Sequence, residues 1–357
     1  MKVAVAMSGG VDSSTVAGML VEQGHDVVGL AMKTHGLEPQ ANRACCTPDD
    51  MRDARRVADQ LHIPFYVINY EEVFKTEIID PFVAAYQAGR TPNPCVECND
   101  KVKFRPLLQR AEILGAEVLA TGHYARIERR QGRSVLLRGC DPAKDQSYFL
   151  YRLSAAQLGR LWFPLGALNK GQVRAHARRM GIQVAEKRES QEICFVGKGG
   201  YKSLVDARGG TRGGAIVDGE GNQLGQHDGV HRFTLGQRRG LRIAASRPLY
   251  VTNIDAACGT VTVGDRNALL SDRAMISAPR WTWDRPSVGD EVLLQQRYRD
   301  VPHPAVVTAI DAGGVTFRLR APQARGAPGQ AAVVFSGDMV LGGGTIESPF
   351  QASQHGG

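Results

Sequence analysis

The 357-residue chain has no uncharged apolar stretch near the roughly 18–20 residues that a bilayer crossing needs, which excludes a membrane-spanning helix. Nothing at its start looks like an export signal. In MKVAVAMSGGVDSS the apolar run lasts five or six residues before Gly9, Gly10 and Asp12 break it. Cysteine is scarce and odd in number, seven residues. Without an export signal these read as reduced thiols of a cytoplasmic protein, not as a disulfide framework. No internal repeat and no low-complexity block occurs. With 43% hydrophobic and 22% charged residues, a largely disordered chain is excluded as well. Acidic residues number 36 against 44 basic ones, and the net charge of +8 favours a polyanionic partner without requiring one. The length exceeds one ordinary core: at about 100–200 residues per domain, two or three domains are expected.

The texture changes twice along the chain. Up to about residue 200, short runs rich in β-branched or small apolar residues (Val3–Met7, Val27–Met32, Phe65–Asn69, Val118–Thr121) alternate with helix patterns. The helices are expected at Ser13–Glu22, Pro48–Leu61 and Arg105–Leu114. Such alternation implies right-handed βαβ units and a doubly wound parallel sheet, an α/β domain over residues 1–200. Gly197–Gly214 carries seven glycines and reads as a linker or mobile loop. A small, mostly β domain is expected over 201–272, from runs at Ala215–Val217, His231–Leu235, Leu249–Ile254 and Thr260–Val263. Runs at Met275–Ser277, Glu291–Gln295, Ala305–Ile310, Val315–Leu319, Ala331–Phe335 and Thr345–Ile346 suggest a β-barrel over 273–350, followed by a disordered tail, 351–357.

The first βα turn carries the strongest chemical signal. Val3–Met7 runs directly into Ser8-Gly9-Gly10-Val11-Asp12-Ser13-Ser14, and a helix follows. Two glycines let backbone amides close around an anion, the hydroxyls add donors, and the helix N-terminus adds positive potential. This is a phosphate cradle at the carboxyl end of a strand, where open parallel sheets bind ligands. It is no Walker loop, since no Gly-Lys-Ser/Thr follows, and no G-x-G-x-x-G fingerprint is present. The loop resembles that of the PP-loop ATP pyrophosphatases, which cleave ATP between the α and β phosphates. That resemblance implies Asp12 near a magnesium ion on the phosphates and Met32, ending the second strand, against adenine.

Cysteines give the second signal. Cys95-Val96-Glu97-Cys98 follows the rigid lead-in Gly89-Arg90-Thr91-Pro92-Asn93-Pro94, and Cys194 lies in Ser190-Gln191-Glu192-Ile193-Cys194-Phe195. A reactive thiolate needs partial exposure and positive surroundings, and Lys101, Lys103, Lys187 and Arg188 are near in sequence. Half a zinc site, a redox dithiol, or three ligands of an iron–sulfur cluster with Cys194 are the other readings of the C-x-x-C. A full zinc set would want a second C-x-x-C or a close His pair, and neither is present. Cys140 and Cys258 read as small buried hydrophobes. No role is assigned to the adjacent Cys45 and Cys46.

These signals sit among others in a recognisable order: Cys46–Tyr70, Gly89–Phe104, ATGHY at Ala120–Tyr124, KDQSYFL at Lys144–Leu150, SQEICFV at Ser190–Val196, HRFTLGQRRGL at His231–Leu241, RYR at Arg297–Arg299 and PGQ at Pro328–Gln330. Over nearly its whole length the chain resembles the tRNA-specific 2-thiouridylases of the bacterial MnmA type. The resemblance implies ATP-dependent 2-thiolation of the wobble uridine of tRNA, with ATP on Ala6, Met7, Ser8, Gly9, Gly10, Val11, Asp12, Ser13, Met32 and Gly122. Cys194 would carry a persulfide loaded by a cysteine desulfurase or a sulfur relay. Cys98 would release the sulfur, leaving a transient Cys98–Cys194 disulfide. Asn93, Pro94 and Cys95 would line the extruded base, while His123, Lys144, Asp145, Gln146, Arg297, Tyr298 and Gln330 would face tRNA. The chain departs from the family at one point: Cys95 stands where many members carry Asp, which keeps the iron–sulfur reading on Cys95, Cys98 and Cys194 open but not favoured.

Two basic segments fit an RNA partner. Arg160–Arg188 holds seven Lys/Arg against one acid, Glu186, and Arg232–Arg247 holds five Arg and no acid, with Phe233 available to stack on unpaired bases. A solvated basic helix face is the plain alternative for the first. Two rival functions remain: a small-molecule PP-loop ligase, which needs neither thiols nor an RNA-holding domain, and a non-enzymatic RNA-binding protein with a Cys–metal site.

Overall fold

The computed structural model describes residues 1–34, 48–187, 193–197 and 199–348. Cys45, Cys46, Arg188, Ser190, Gln191, Glu192 and the tail 351–357 lie outside the described residues. The chain divides into two compact units, one drawn from Met1–Ile79, Pro94–Lys198 and Asp338–Val340, the other from Asp80–Asn93, Gly199–Gly337 and Leu341–Gly357.

The first unit is built on a parallel sheet. Val3, Ala4 and Val5 are sealed from solvent, as a continuous apolar run must be when helices cover both faces of a central strand. That strand, β1 (Lys2–Ala6), pairs on one side with β2 (Asp26–Lys33), which pairs with β3 (Phe65–Asn69). On its other side lies β4 (Val118–Thr121), followed by the short edge strand Leu161–Trp162. The winding therefore reverses at β1 and β4, so the loops after these two strands face one crevice. Helix α1 (Val11–Glu22) buries Val16, Ala17 and Leu20 in a shared core with Ala54, Val57 and Ala58 of α2 (Pro48–Gln60) and with Val173 and Ala177 of the helix Lys170–Arg179. In each case the buried residues recur at three- and four-residue spacing, the stripe a covering helix presents to a sheet.

An antiparallel hairpin, Ala125–Arg130 with Arg133–Arg138, also belongs to this unit and has no counterpart among the expected elements. Its turn is Gln131-Gly132, both at positive φ (50° and 78°), the twist a two-residue hairpin requires.

The second unit contains two β structures. Gly214–Val217, Gln223–His227, Tyr250–Asp255 and Thr260–Gly264 form a four-stranded sheet around Ile216, Val251, Val261 and Val263. Leu270–Trp281, Glu291–Gln295, His303–Asp311, Gly314–Ala324, Ala331–Ser336 and Met339–Glu347 form the barrel, which closes where the first of these strands pairs with the last. Two expectations need correcting here. His231–Leu235 is no strand: Val230–Arg232 is a 3₁₀ turn, and buried His231 bonds Asp206 Oδ1 at 2.8 Å and Thr211 Oγ1 at 2.7 Å. The glycine-rich stretch is no mere linker either. It contains the helix Gly200–Asp206, whose Val205 is buried and whose Tyr201 stacks on Tyr86 with ring centres 4.3 Å apart.

Candidate active site

The loop after β1 is held by its own serines. The Ser8 amide donates to Ser13 Oγ at 3.1 Å, and Ser13 Oγ reaches the Gly10 carbonyl at 3.4 Å. Gly9 takes φ +72°, and a Cβ there would lie 2.0 Å from the Asp50 carbonyl oxygen, so only glycine fits. Gly10 opens α1 in an extended conformation with no side-chain cap, leaving the first amides of a 12-residue helix available to an anion. Ser14 Oγ is buried without a hydrogen-bond partner, a further donor at the start of this helix. Gly122, following β4, is needed for the same close packing: a Cβ on it would come within 2.9 Å of the Ser13 nitrogen. Gly9→Ala should therefore destabilise the protein by about 2 kcal/mol or more, since both strain and overlap must be relieved. Thermal unfolding checks this, and an unchanged midpoint would contradict the close approach to Asp50.

Asp12, in the first turn of α1, does not face the loop with an open carboxylate. Lys170 Nζ donates to its two oxygens at 2.7 and 2.9 Å, and Tyr124 Oη donates to Oδ1 at 2.8 Å. Tyr124 is fixed in turn by Gln146, whose Oε1 accepts from the Tyr124 amide at 2.9 Å while the Gln146 amide donates to the Tyr124 carbonyl at 2.8 Å. A second lysine, Lys187, donates to the Gly9 carbonyl at 3.1 Å, to Asp50 at 2.7 Å and to Asp53 at 2.6 Å. Burial works against its charge, but the two carboxylates outweigh burial and hold the ammonium above the ordinary lysine range. Sequence reasoning passed over Lys170, Tyr124, Asp50 and Asp53, and it read Lys187 as a companion of Cys194. The Lys170–Asp12 pair spans 158 positions, so no local pattern announces it.

His123 sits against Phe104 and Phe163, with ring centres 5.5 and 5.8 Å away, and its Nδ1 pairs with Thr121 Oγ1 at 2.7 Å. Burial, with a smaller contribution from Lys103, pushes its pKa well below the usual histidine range, so the ring is neutral at physiological pH. Asp145 is buried and accepts four hydrogen bonds, from Arg138, the Gly139 amide, and the amide and hydroxyl of Ser147, so its carboxylate serves the local fold. Lys144 is partly exposed beside it, and Met32 is buried at the end of β2.

The cysteine motif occupies an unusual helix. Pro94–Glu97 makes one turn, Cys98–Phe104 widens into π-helical geometry, and Arg105–Ile113 continues as α-helix. Such widened turns concentrate at functional positions because they re-aim side chains. Cys95 is exposed, and Cys98 and Cys194 are partly exposed, as reactive thiols require; Cys140 and Cys258, expected to be buried, are exposed as well. Phe195, next to Cys194, packs edge-on against buried Phe74 at 5.6 Å. Of the cations expected to activate these thiols, Lys101 is committed to Glu97 and Glu77, at 3.3 and 3.5 Å, and Lys187 to the loop. Arg152 instead brings a largely buried guanidinium to this helix, 2.5 Å from Glu97 and 3.7 Å from Asp100. Among the described residues no group of three or more His, Cys, Asp or Glu side chains gathers at metal-binding geometry, so the iron–sulfur reading of Cys95, Cys98 and Cys194 has no geometric support.

The described part of this basic run, Arg160 to Lys187, is not a free phosphate surface. Arg160 pairs with Glu112, Lys170 with Asp12, Arg174 and Arg178 with Glu186, Arg179 with Glu22, and Lys187 with Asp50 and Asp53. The second segment differs: Arg232 pairs with Asp206, while Arg238, Arg239, Arg242 and Arg247 are exposed. Phe233, expected to stack on bases, is buried in the core of the four-stranded sheet.

The loop, Gly122, His123, Lys144–Gln146 and the three cysteines all belong to the first unit, whereas Asn93, Arg297, Tyr298 and Gln330 belong to the second. There, exposed Arg297 donates to the Arg325 carbonyl at 2.8 Å, and Tyr298 is partly exposed.

Comparison with known proteins bears on the whole chain. Residues 1–198 match the family model for a tRNA methyl transferase HUP domain, 202–265 that for a tRNA methyl transferase PRC-barrel domain, and 271–346 that for an aminomethyltransferase β-barrel domain. The tRNA-specific 2-thiouridylase MnmA of Geobacter metallireducens is 49% identical over 356 residues, covering 97% of each chain. That of Rhodospirillum centenum is 47% identical, covering 97% of this chain and 91% of its own. Among solved structures, a 4-thiouridine synthetase–RNA complex with bound ATP aligns over 54% of this chain and 44% of that one, at 14% identity and a TM-score of 0.36, too distant to carry an argument. With this level of identity across three consecutive domains, the chain belongs to the family of tRNA-specific 2-thiouridylases of the MnmA type.

Proposed function

We propose that the protein is a tRNA-uridine sulfurtransferase that converts the C2 oxygen of the wobble uridine to sulfur at the expense of ATP. The observation that carries this reading is the pairing, within one unit, of a pyrophosphate-type loop with Cys98 and Cys194, two partly exposed cysteines far apart in sequence. In the first step the uridine C2 oxygen attacks the α-phosphorus of ATP, and pyrophosphate leaves. C2 then carries AMP as a leaving group. The open amides of α1, together with Ser8 and Ser13, are placed to hold phosphate oxygens, and Lys170 supplies positive charge beside them.

In the second step the terminal sulfur of a Cys194 persulfide attacks C2 and AMP departs, leaving a C2–S–S–Cys194 adduct. The Cys98 thiolate then attacks the Cys194 sulfur, breaking the S–S bond. The products are 2-thiouridine and a Cys98–Cys194 disulfide, which a two-electron thiol reductant must reopen. The persulfide sulfur comes from a cysteine desulfurase, directly or through a relay protein. The target base must leave its stack for either step, and Asn93, Pro94 and Cys95 line it in this reading. His123, neutral and wedged between aromatic rings, contributes as a hydrogen-bonding or stacking group rather than as a cation.

A divalent ion at Asp12 does not fit the donor set. Both oxygens of that carboxylate are engaged by Lys170 and Tyr124, and the ammonium already neutralises its charge. The test of the reaction is its stoichiometry. Purified protein, supplied with tRNA, ATP and a persulfide source, should release one AMP and one pyrophosphate per thiolated tRNA. ADP and phosphate as the matching products would refute pyrophosphatase chemistry. A requirement for glutamine or ammonia would point instead to a small-molecule ligase.

A further inference from the structure

The segment that leads into the cysteine motif is held by the barrel. Arg90 forms a two-pronged ion pair with Glu347 on the last barrel strand, at 2.9 and 2.8 Å, and the same carboxylate accepts from Ser277 Oγ at 2.7 Å. One residue further on, the Thr91 amide donates to the Pro328 carbonyl at 2.8 Å. Gln330 closes the grip: its side-chain nitrogen donates to the carbonyls of both Thr91 and Pro92, each at 3.1 Å. Gly329 between them takes φ +92°, and a Cβ on it would come within 3.1 Å of the Thr91 oxygen, so this turn presses directly on the lead-in backbone. All these residues lie in the second unit. Past Pro92 only Asn93 separates the grip from Pro94 and Cys95, and two of these residues are prolines whose φ is fixed by the ring. Chain stiffness therefore passes the placement of Thr91 and Pro92 to the residues that follow.

We infer that Arg90, Glu347 and Gln330 are positioning residues: they hold Thr91–Pro92 so that Asn93, Pro94 and Cys95 meet the target base. This rests on the thiolation reading given above, and it assigns Gln330 a role different from direct contact with tRNA. A half-buried, forked Arg–carboxylate pair and a doubly engaged amide are more than an ordinary loop needs. An active-site segment misplaced by about 1 Å loses about 100-fold in rate, which gives such a clamp its value.

The experiment compares wild type with Gln330→Ala, Glu347→Gln and Arg90→Lys in the full-length protein. Two readouts are used: steady-state thiolation kinetics, and the rate of iodoacetamide alkylation at Cys95 and Cys98 by mass spectrometry without tRNA. The expected result is a fall in kcat of about 10- to 100-fold for Gln330→Ala and Glu347→Gln, with KM for tRNA changed less than about threefold. Arg90→Lys, which keeps the charge but loses the fork, should fall between them and wild type. Alkylation of Cys95 should change several-fold in the same order, a shift that does not depend on the reaction. A rise in KM for tRNA with unchanged kcat in Gln330→Ala would make that side chain an RNA contact and overturn the inference. Unchanged alkylation in all three variants would overturn it too, even if Glu347→Gln proves unstable, because Gln330→Ala removes no buried charge. Wild-type protein inactive on tRNA would refute the thiolation reading, while the alkylation rates would still decide whether the clamp exists.

Discussion

Cys194→Ser protein, given ATP, tRNA and a persulfide donor, should adenylate tRNA and never thiolate it. A hydroxyl cannot store sulfane sulfur, and its pKa is too high for it to attack as an anion near neutral pH. The reaction is then interrupted between its two halves, so pyrophosphate release persists for one turnover while 2-thiouridine falls below detection by nucleoside mass spectrometry. Cys98→Ser should also stop product release, trapping sulfur between C2 and Cys194. Cys95→Asp separates the mechanisms. The family resemblance places Asp at this position in many members, so under the persulfide route the variant should keep measurable thiolation. Under an iron–sulfur route the same change removes one of three thiolate ligands. Loss of activity in parallel with loss of bound iron would overturn the persulfide assignment.

The second large effect is expected at Lys170. Replacing it with Met should lower AMP formation by about 100- to 1,000-fold, the usual cost of removing one preorganised charge from a site where charge develops. Binding of tRNA should stay within a few-fold, because Lys170 is engaged by Asp12 and does not belong to the exposed arginine segment. Asp12→Asn should behave similarly: an amide holds the ammonium by one neutral hydrogen bond in place of a two-oxygen ion pair. The measurements are pyrophosphate release and a filter-binding affinity for tRNA. Intact adenylation with a large loss of tRNA affinity in either variant would reverse the assignment. Intact adenylation in Lys170→Met alone would reduce the lysine to a counter-ion of Asp12.

Much of the fold could be read locally. The unbroken apolar run of β1 identifies a strand buried on both faces, and the loop and helix after it follow within a dozen residues. The barrel strands emerged from short apolar runs; Glu291–Gln295 has the expected bounds, while the other strands run longer, as in Leu270–Trp281 against the expected Met275–Ser277, where exposed residues extend the pairing. The hairpin Ala125–Arg138 gives little local signal because its turn is Gln-Gly, a weaker cue than Asn-Gly, and half of its exposed strand is arginine. The helix Gly200–Asp206 was hidden by flanking glycines: composition suggested a loop, while burial of Val205 and the Tyr201–Tyr86 stack decided for a helix. Tertiary contacts overrode propensity there.

The chemistry divides along the same line. By itself the sequence determined that a Ser-Gly-Gly loop joins the first strand to a helix and that thiols follow a rigid Pro-Asn-Pro lead-in, since both depend on neighbours within a few residues. Family membership was legible for the same reason, through short motifs in a fixed order. Only the tertiary structure decided which charges do what. The basic residues from Arg160 to Lys187 are spent on carboxylates, Asp12 belongs to Lys170, and Arg90 reaches Glu347 across 257 positions. The physical reason is that an ion pair is set by distance in space, and folding brings acids and bases together at separations along the chain that no local pattern records.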